Sequence, residues 1–179
     1  MRKKVLILSG SPRKDGNSDL LCNEFMKGAV EAGNEVEKIR ISAKKVKPCG
    51  ACYYCKNHDG ECIHHDDMPE ILNKMIEADV LVLASPVYFY SIDAQLKTVI
   101  DRSLARWTEV KNKEFYYIVT MADEDLHSAD TTLACMRGYA SCVDGASEKG
   151  VLIGNGVYEP GTVKTTAAMQ KAYEMGRNV

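Results

Sequence analysis

Five short apolar runs, at residues 4–8, 35–41, 80–84, 115–120 and 151–153, each give way to a stretch of helical periodicity, and this alternation limits the folds open to the chain. The helical stretches fall at residues 18–32, 67–78, 92–106, 128–143 and 163 to about 177. Most of the runs lack polar alternation, as strands covered on both faces do. Strand and helix alternating in this way, joined by right-handed crossovers, predict a three-layer α/β sandwich around a five-stranded parallel sheet. With five strands the order 2-1-3-4-5 is expected, with its switch point between the first and third.

Ligands of such sheets bind beyond the carboxyl ends of the strands, so the turns leaving strands one and three matter most. Strand one runs straight into GSPRKDGNS and then a helix. Hydroxyls at Ser9, Ser11 and Ser18, the Asn17 amide, the Arg13 guanidinium and the backbone N–H groups of the helix start can converge on one anion there. The competing reading is a solvated turn in which Ser18 caps the helix. Neither G-x-x-x-x-G-K-[ST] nor G-x-G-x-x-G is present, which favours a mononucleotide with one terminal phosphate over a triphosphate or dinucleotide.

The turn after strand three, SPVYFYS at residues 85–91, has the character of a ring platform. Pro86 fixes its own φ, while Val87, Tyr88, Phe89 and Tyr90 place apolar and aromatic surface beside the phosphate loop. The same surface would serve as a hydrophobic cap or a subunit contact. After strand four, Thr120 and Ala122 are candidates for the edge of a polar heterocycle.

At 179 residues and 45% hydrophobic content the chain suits one domain, residues 1–179, with a cysteine-rich insertion at about 45–66. A formal net charge of −2 and only short basic runs argue against nucleic acid as a partner. No apolar stretch approaches a membrane span or a signal sequence, so a cytoplasmic protein is expected.

Seven cysteines, four of them within residues 49–62, point to thiol or metal chemistry rather than a secreted disulfide framework. Cys49, Cys52, Cys55 and Cys62 are spaced C-x2-C-x2-C-x6-C and can wrap an iron-sulfur cube. They can equally hold a structural zinc, with His58, His64 and His65 nearby, or pack as reduced thiols or a reversible disulfide. Cys22, Cys135 and Cys142 are isolated and read as core or surface thiols. One of Asp66 and Asp67, just before Pro69, reads as the helix cap rather than the two as a catalytic carboxylate pair, and Lys97 and Asp101 read as an intrahelical ion pair.

Taken together, GSPRKDGNS, the cysteine insertion leading into DDM, and SPVYFYSIDAQLKTVIDR resemble the NADPH-dependent FMN reductase and iron-sulfur flavoprotein branch of the flavodoxin-like superfamily. The motifs cover about residues 4–107; beyond them the likeness rests on element order and the closing helix. The resemblance implies a flavodoxin-like fold with FMN, its phosphate on Ser11, Arg13, Asn17 and Ser18 and its ring and ribityl chain against Pro86, Val87, Tyr88 and Phe89. It also implies a [4Fe-4S] cluster on Cys49, Cys52, Cys55 and Cys62 in iron-sulfur relatives. Apart from the resemblance, the aromatic turn at 85–91 suggests a homodimer or homotetramer, and the lack of a spanning stretch suggests no membrane partner.

The reaction that follows is hydride transfer from NAD(P)H to the flavin and onward reduction of a quinone, flavin or similar small acceptor. The cofactor carries that chemistry, so no side-chain general base is required. The alternative is an electron carrier, with FMN and a [4Fe-4S] cluster, that serves protein partners. A flavin-free zinc module is the third reading.

Overall fold

The computed structural model describes residues 2–179. Five strands, β1 (Lys4–Ser9), β2 (Glu35–Arg40), β3 (Val80–Pro86), β4 (Glu114–Thr120) and β5 (Ser147–Gly154), form one sheet in the order β2-β1-β3-β4-β5. Every pairing is parallel, as the alternation predicts. Helices α1 (Asn17–Glu31), α2 (Met68–Glu77), α3 (Ala94–Arg102), α4 (Asp130–Ser141) and α5 (Ala168–Arg177) supply the crossovers and the closing element.

Side-chain alternation along the three central strands divides the core into two layers. Leu6, Leu8, Leu81, Leu83, Phe115 and Tyr117 pack beneath α2, α3 and α4 with Ile71, Met75, Leu96, Val99 and Met136. Val5, Ile7, Val80, Val82, Tyr116 and Ile118 face α1 and α5 with Leu21, Phe25 and Ala172. Burial on both sides is what makes β1, β3 and β4 read as continuous apolar runs.

The edges depart from that pattern. β2 buries only Ile39 fully, and β5 starts at Ser147 rather than 151 because its first residues, Ser147, Glu148 and Lys149, are polar at the sheet edge. Helix α3 ends at Arg102, short of 106, and passes into 3₁₀ turns at Ser103–Ala105 and Trp107–Glu109. A 3₁₀ turn at Leu126–Ala129 precedes α4, and another at Thr162–Thr165 precedes α5, which begins later than 163.

Two capping expectations are corrected. Gly16, not Ser18, occupies the cap position of α1, and no side chain caps it. Asp67 stands at the cap of α2 and its carbonyl accepts from Ile71 N at 3.3 Å, but its side chain makes no capping bond; its Oδ2 accepts from Lys45 N at 2.7 Å instead. The Lys97–Asp101 pair forms at 2.5 Å. Among the described residues no helix is long and apolar enough to cross a membrane.

Candidate functional site

The turns after β1, β3, β4 and β5 meet at the carboxyl edge of the sheet and enclose a crevice lined by Ser11, Arg13, Gly16, Asn17, Ser18, Pro86, Val87, Tyr88, Thr120, Met121 and Ala122, with Val157, Tyr158 and Pro160 closing the far side. The first intrahelical bond of α1 runs from Leu20 N to Gly16 O at 2.9 Å. With no side-chain cap, the N–H groups of its opening turn face the crevice side of the helix end, where an anion can take their bonds.

Close backbone approach shapes this cradle. A Cβ on Gly10 would lie 2.1 Å from Asp93 Oδ2, and one on Gly16 would lie 3.1 Å from Arg13 O. Gly10 N also donates to Ala84 O at 2.9 Å, tying the phosphate loop to the end of β3. Burial pushes the Asp93 carboxyl above the ordinary range; its Oδ1 caps α3 by accepting from Leu96 N at 2.9 Å.

The acidic residue in the first turn of α1 is neutralised from the neighbouring strand. Asp19 is buried, and its carboxylate meets Lys38 Nζ at 2.7 Å and Arg40 Nε at 3.8 Å. That leaves the field at the helix start favourable to an anion. Arg13 is exposed on the crevice wall and makes no ion pair among the described residues.

The individual site residues fall into three groups. Ser11, Arg13, Ser18, Pro86, Val87, Tyr88, Thr120 and Ala122 come together around the crevice, and Ser18 Oγ and Thr120 Oγ1 share a hydrogen bond of 2.6 Å. Asn17 is there too, but its side chain is spoken for. Its amide donates to Val157 O at 3.2 Å and Glu159 O at 3.0 Å, while its Oδ1 accepts from Gly161 N at 2.9 Å and Val163 N at 3.2 Å. Asn17 therefore fastens the last loop over the crevice and offers an anion only its backbone N–H.

Ser9 and Phe89 do not join the lining. Ser9 is completely buried with its hydroxyl unpartnered, below the floor of the loop. Phe89 is 101% exposed, at the tip of a tight turn in which Tyr88 and Ser91 exchange backbone bonds of 3.0 Å. Phe89 and Tyr90 hold φ values of +49° and +61°, a left-handed pair usually filled by Asn-Gly, so the turn displays aromatic residues at a steric cost.

Sequence reasoning missed Val157, Tyr158 and Pro160. The loop GVYEPG follows the last strand at the same sheet edge, and that position was the available signal.

The cysteine insertion forms a separate structure. Cys49, Cys52, Cys55 and Cys62 all line one small cavity with Tyr53, Tyr54, Ile63 and Leu104. Left-handed residues at Ala51 and Tyr53 turn the chain between successive cysteines, and Tyr54 stacks on His58 with ring centroids 3.6 Å apart. Among the described residues, however, no three His, Cys, Asp or Glu side chains stand in an arrangement that could hold an ion. Cys22 is a core thiol, pushed up to about 12 by burial.

At the neck of the insertion Asp66 Oδ1 accepts from Met68 N, the first residue of α2, at 3.1 Å, and the same carboxylate also forms a buried ion pair. Its Oδ2 and Oδ1 accept from Arg102 Nη1 and Nη2 at 2.7 and 3.0 Å. Burial works to raise the Asp66 pKa, but the Arg102 fork and the N–H groups of Lys47 and Met68 outweigh it and hold the carboxyl at about 2, against an ordinary 3.8. A folded-state pKa below the unfolded one stabilises the fold above about pH 4, and that contribution disappears as pH falls toward 2. We expect about 2 kcal/mol of stability to be lost across this window. Denaturant midpoints at pH 5 and pH 2.5, compared between the native chain and Asp66→Asn, read this directly; equal pH dependence in both would refute it.

Comparison with known proteins places this geometry in context. The family model described as NADPH-dependent FMN reductase matches residues 3–139. An iron-sulfur flavoprotein of Methanocaldococcus jannaschii is 48% identical over 100 residues, covering 56% of this chain and 51% of that protein. The chain spans about half the length of the curated relatives it matches. Among solved structures, an NAD(P)H:quinone oxidoreductase from Methanothermobacter marburgensis superposes with a TM-score of 0.76 at 20% identity, covering 99% of this chain and 96% of that one. An FMN-dependent NADH-azoreductase from Bacillus anthracis, solved with FMN, gives a TM-score of 0.76 at 18% identity and 99% coverage of both chains. At such identities the structural likeness establishes the flavodoxin-like fold, while the matched residues from the first strand through most of the fourth helix make this chain a member of the NADPH-dependent FMN reductase family.

Proposed function

We propose that this chain binds FMN in the crevice, takes a hydride from NAD(P)H and reduces a quinone, flavin or similar small acceptor. One observation carries the reading: the uncapped start of α1 faces, across the same crevice, the Pro86–Val87–Tyr88 wall. The phosphate would be held by the first-turn N–H groups, the Ser11 and Ser18 hydroxyls and Arg13, with the ring against Pro86, Val87 and Tyr88. Thr120 orients Ser18 through their mutual bond, and Asn17 keeps Val157 and Tyr158 in place. Bound there, FMN supplies reversible hydride acceptance from a nicotinamide, and the side chains bind and orient rather than move protons. Solved structures of a quinone oxidoreductase and an azoreductase sharing this fold are in keeping with that chemistry.

The anchor is tested by Arg13→Ala. Losing a charge-assisted bond of roughly 1.5 to 3 kcal/mol should raise the Kd for FMN by about 10- to 150-fold, read from quenching of flavin fluorescence. An unchanged Kd would remove Arg13 from the anchor.

A second reading, an electron carrier with FMN and a [4Fe-4S] cluster serving protein partners, is favoured by the four thiols on one cavity and by the iron-sulfur flavoprotein relatives. Steady-state NAD(P)H oxidation with a soluble quinone supports the enzyme; a flat trace from flavin-loaded protein supports the carrier. Exposed aromatics at Tyr88, Phe89, Tyr90 and Tyr158 beside the crevice support a homodimer or homotetramer in which a second copy covers the ring. We place this activity in the cytoplasm.

A further inference from the structure

Gly10 and Asp93 meet where the turn after β1 passes the start of α3, and each is an odd choice of residue until the other is considered. Gly10 opens the loop, yet its φ is not positive, so no backbone strain requires glycine there. What excludes a side chain is the carboxyl of Asp93. A Cβ on Gly10 would lie 2.1, 2.5 and 2.6 Å from Oδ2, Oδ1 and Cγ of that group, its three nearest neighbours.

Asp93, in turn, carries more than a cap needs. Capping α3 occupies Oδ1, which accepts from Leu96 N at 2.9 Å, and a serine hydroxyl can make the same bond. The second oxygen, Oδ2, is buried without a hydrogen-bond partner among the described residues, on a side chain that is fully enclosed. A carboxylate oxygen left without a donor in the interior is unfavourable, so capping does not account for aspartate. Packing against Gly10 does. The carboxyl fills the place of the missing side chain and props the loop immediately before Ser11, where the crevice lining begins.

The same residue closes the base of the ring wall. Its N–H donates to Ser85 Oγ at 2.9 Å, joining the two ends of the segment that carries Pro86, Val87 and Tyr88. We propose that Asp93 is a positioning residue that holds the phosphate loop at a fixed span from the ring wall, and so makes the crevice prefer the phosphorylated flavin to riboflavin. This rests on the reading of the crevice as an FMN site. FMN must reach the wall and the loop at once, whereas riboflavin has the same ring and ribityl chain but no phosphate, and is indifferent to where the loop stands.

The test measures Kd for FMN and for riboflavin, by quenching of flavin fluorescence, on the full chain stripped of flavin. The variants are Asp93→Ser, Gly10→Ala and the two together. Serine keeps the cap, and the backbone bond to Ser85 survives, so only the prop is withdrawn. Asp93→Ser should raise the Kd for FMN about 10-fold, as when one charge-assisted phosphate bond is lost, and leave that for riboflavin unchanged. Gly10→Ala should act in the same direction by pushing the loop outward. The double variant should bind FMN more tightly than either single one, because the new methyl fills the space that the carboxyl left. Asp93→Ser carries the test alone if Gly10→Ala does not fold. An unchanged FMN Kd in Asp93→Ser, or equal weakening of FMN and riboflavin, overturns the inference and leaves the crevice reading standing. A double variant worse than both single ones overturns the prop. A native chain that binds FMN no better than riboflavin overturns the phosphate cradle itself, and the inference with it.

Discussion

Replacing Gly28 with Val should destabilise the protein by at least about 3 kcal/mol, the upper end of the cost of overpacking a filled core. Helices α1 and α5 touch backbone to backbone at two glycines. A Cβ on Gly28 would lie 2.1 Å from Tyr173 O and 2.9 Å from Arg177 N, and one on Gly176 would lie 2.0 Å from Phe25 O. These neighbours are main chain, so no rotamer change can make room and the helices must separate. Separation would uncover Phe25, Ala29, Ala168 and Ala172, all now buried. Gly28→Ala separates two effects: it gains about 1 kcal/mol of helix propensity and still meets the same carbonyl, so it too should lose stability, by less than the valine. Urea midpoints read both variants, and a native midpoint for Gly28→Val would mean the helices do not meet there.

The sheet was legible because β1, β3 and β4 are covered on both faces, which leaves the residue pattern no choice but to be apolar throughout. Edge strand β5 was legible only in its inner half, since Ser147 to Lys149 have one side open to water and obey no core constraint. The contact between α1 and α5 was not legible at all. A glycine inside a helical pattern reads as a weak helix former, and only the three-dimensional arrangement shows Gly28 against the main chain of Tyr173 and Gly176 against that of Phe25.

For the candidate site, residue type revealed position better than it revealed bonding. Ser11, Arg13, Ser18, Pro86, Val87 and Tyr88 were readable because strand order fixes which turns share an edge. The partners of Asn17 were not, because they lie 140 to 146 residues away in a loop whose path depends on the whole fold. Asp66 shows the same limit. Three residues before Pro69 it has the local context of a helix cap and does accept from Met68 N, but the guanidinium that arrives from α3 to pair with it leaves no local signal.

Placing a carboxylate in the cradle, Ser11→Asp, should abolish FMN binding while leaving the fold intact. Ser11 is 4% exposed on the crevice lining, and its Oγ already accepts from Arg13 N at 3.3 Å. An aspartate can keep that bond, so the loop has no reason to open. An anion at the start of α1 would meet the new charge at close range, and two unit charges about 4 Å apart repel by about 4 kcal/mol at the effective dielectric of a protein surface. That corresponds to about a thousandfold rise in Kd, well beyond what Arg13→Ala removes. Purified Ser11→Asp should therefore lack flavin absorption near 450 nm and give a native far-ultraviolet circular dichroism spectrum. Salt separates this charge effect from a steric one, because screening should recover part of the lost affinity whereas a blocked site stays blocked. Full flavin occupancy in the variant would mean that the phosphate sits elsewhere and that the turn after β1 is only a turn.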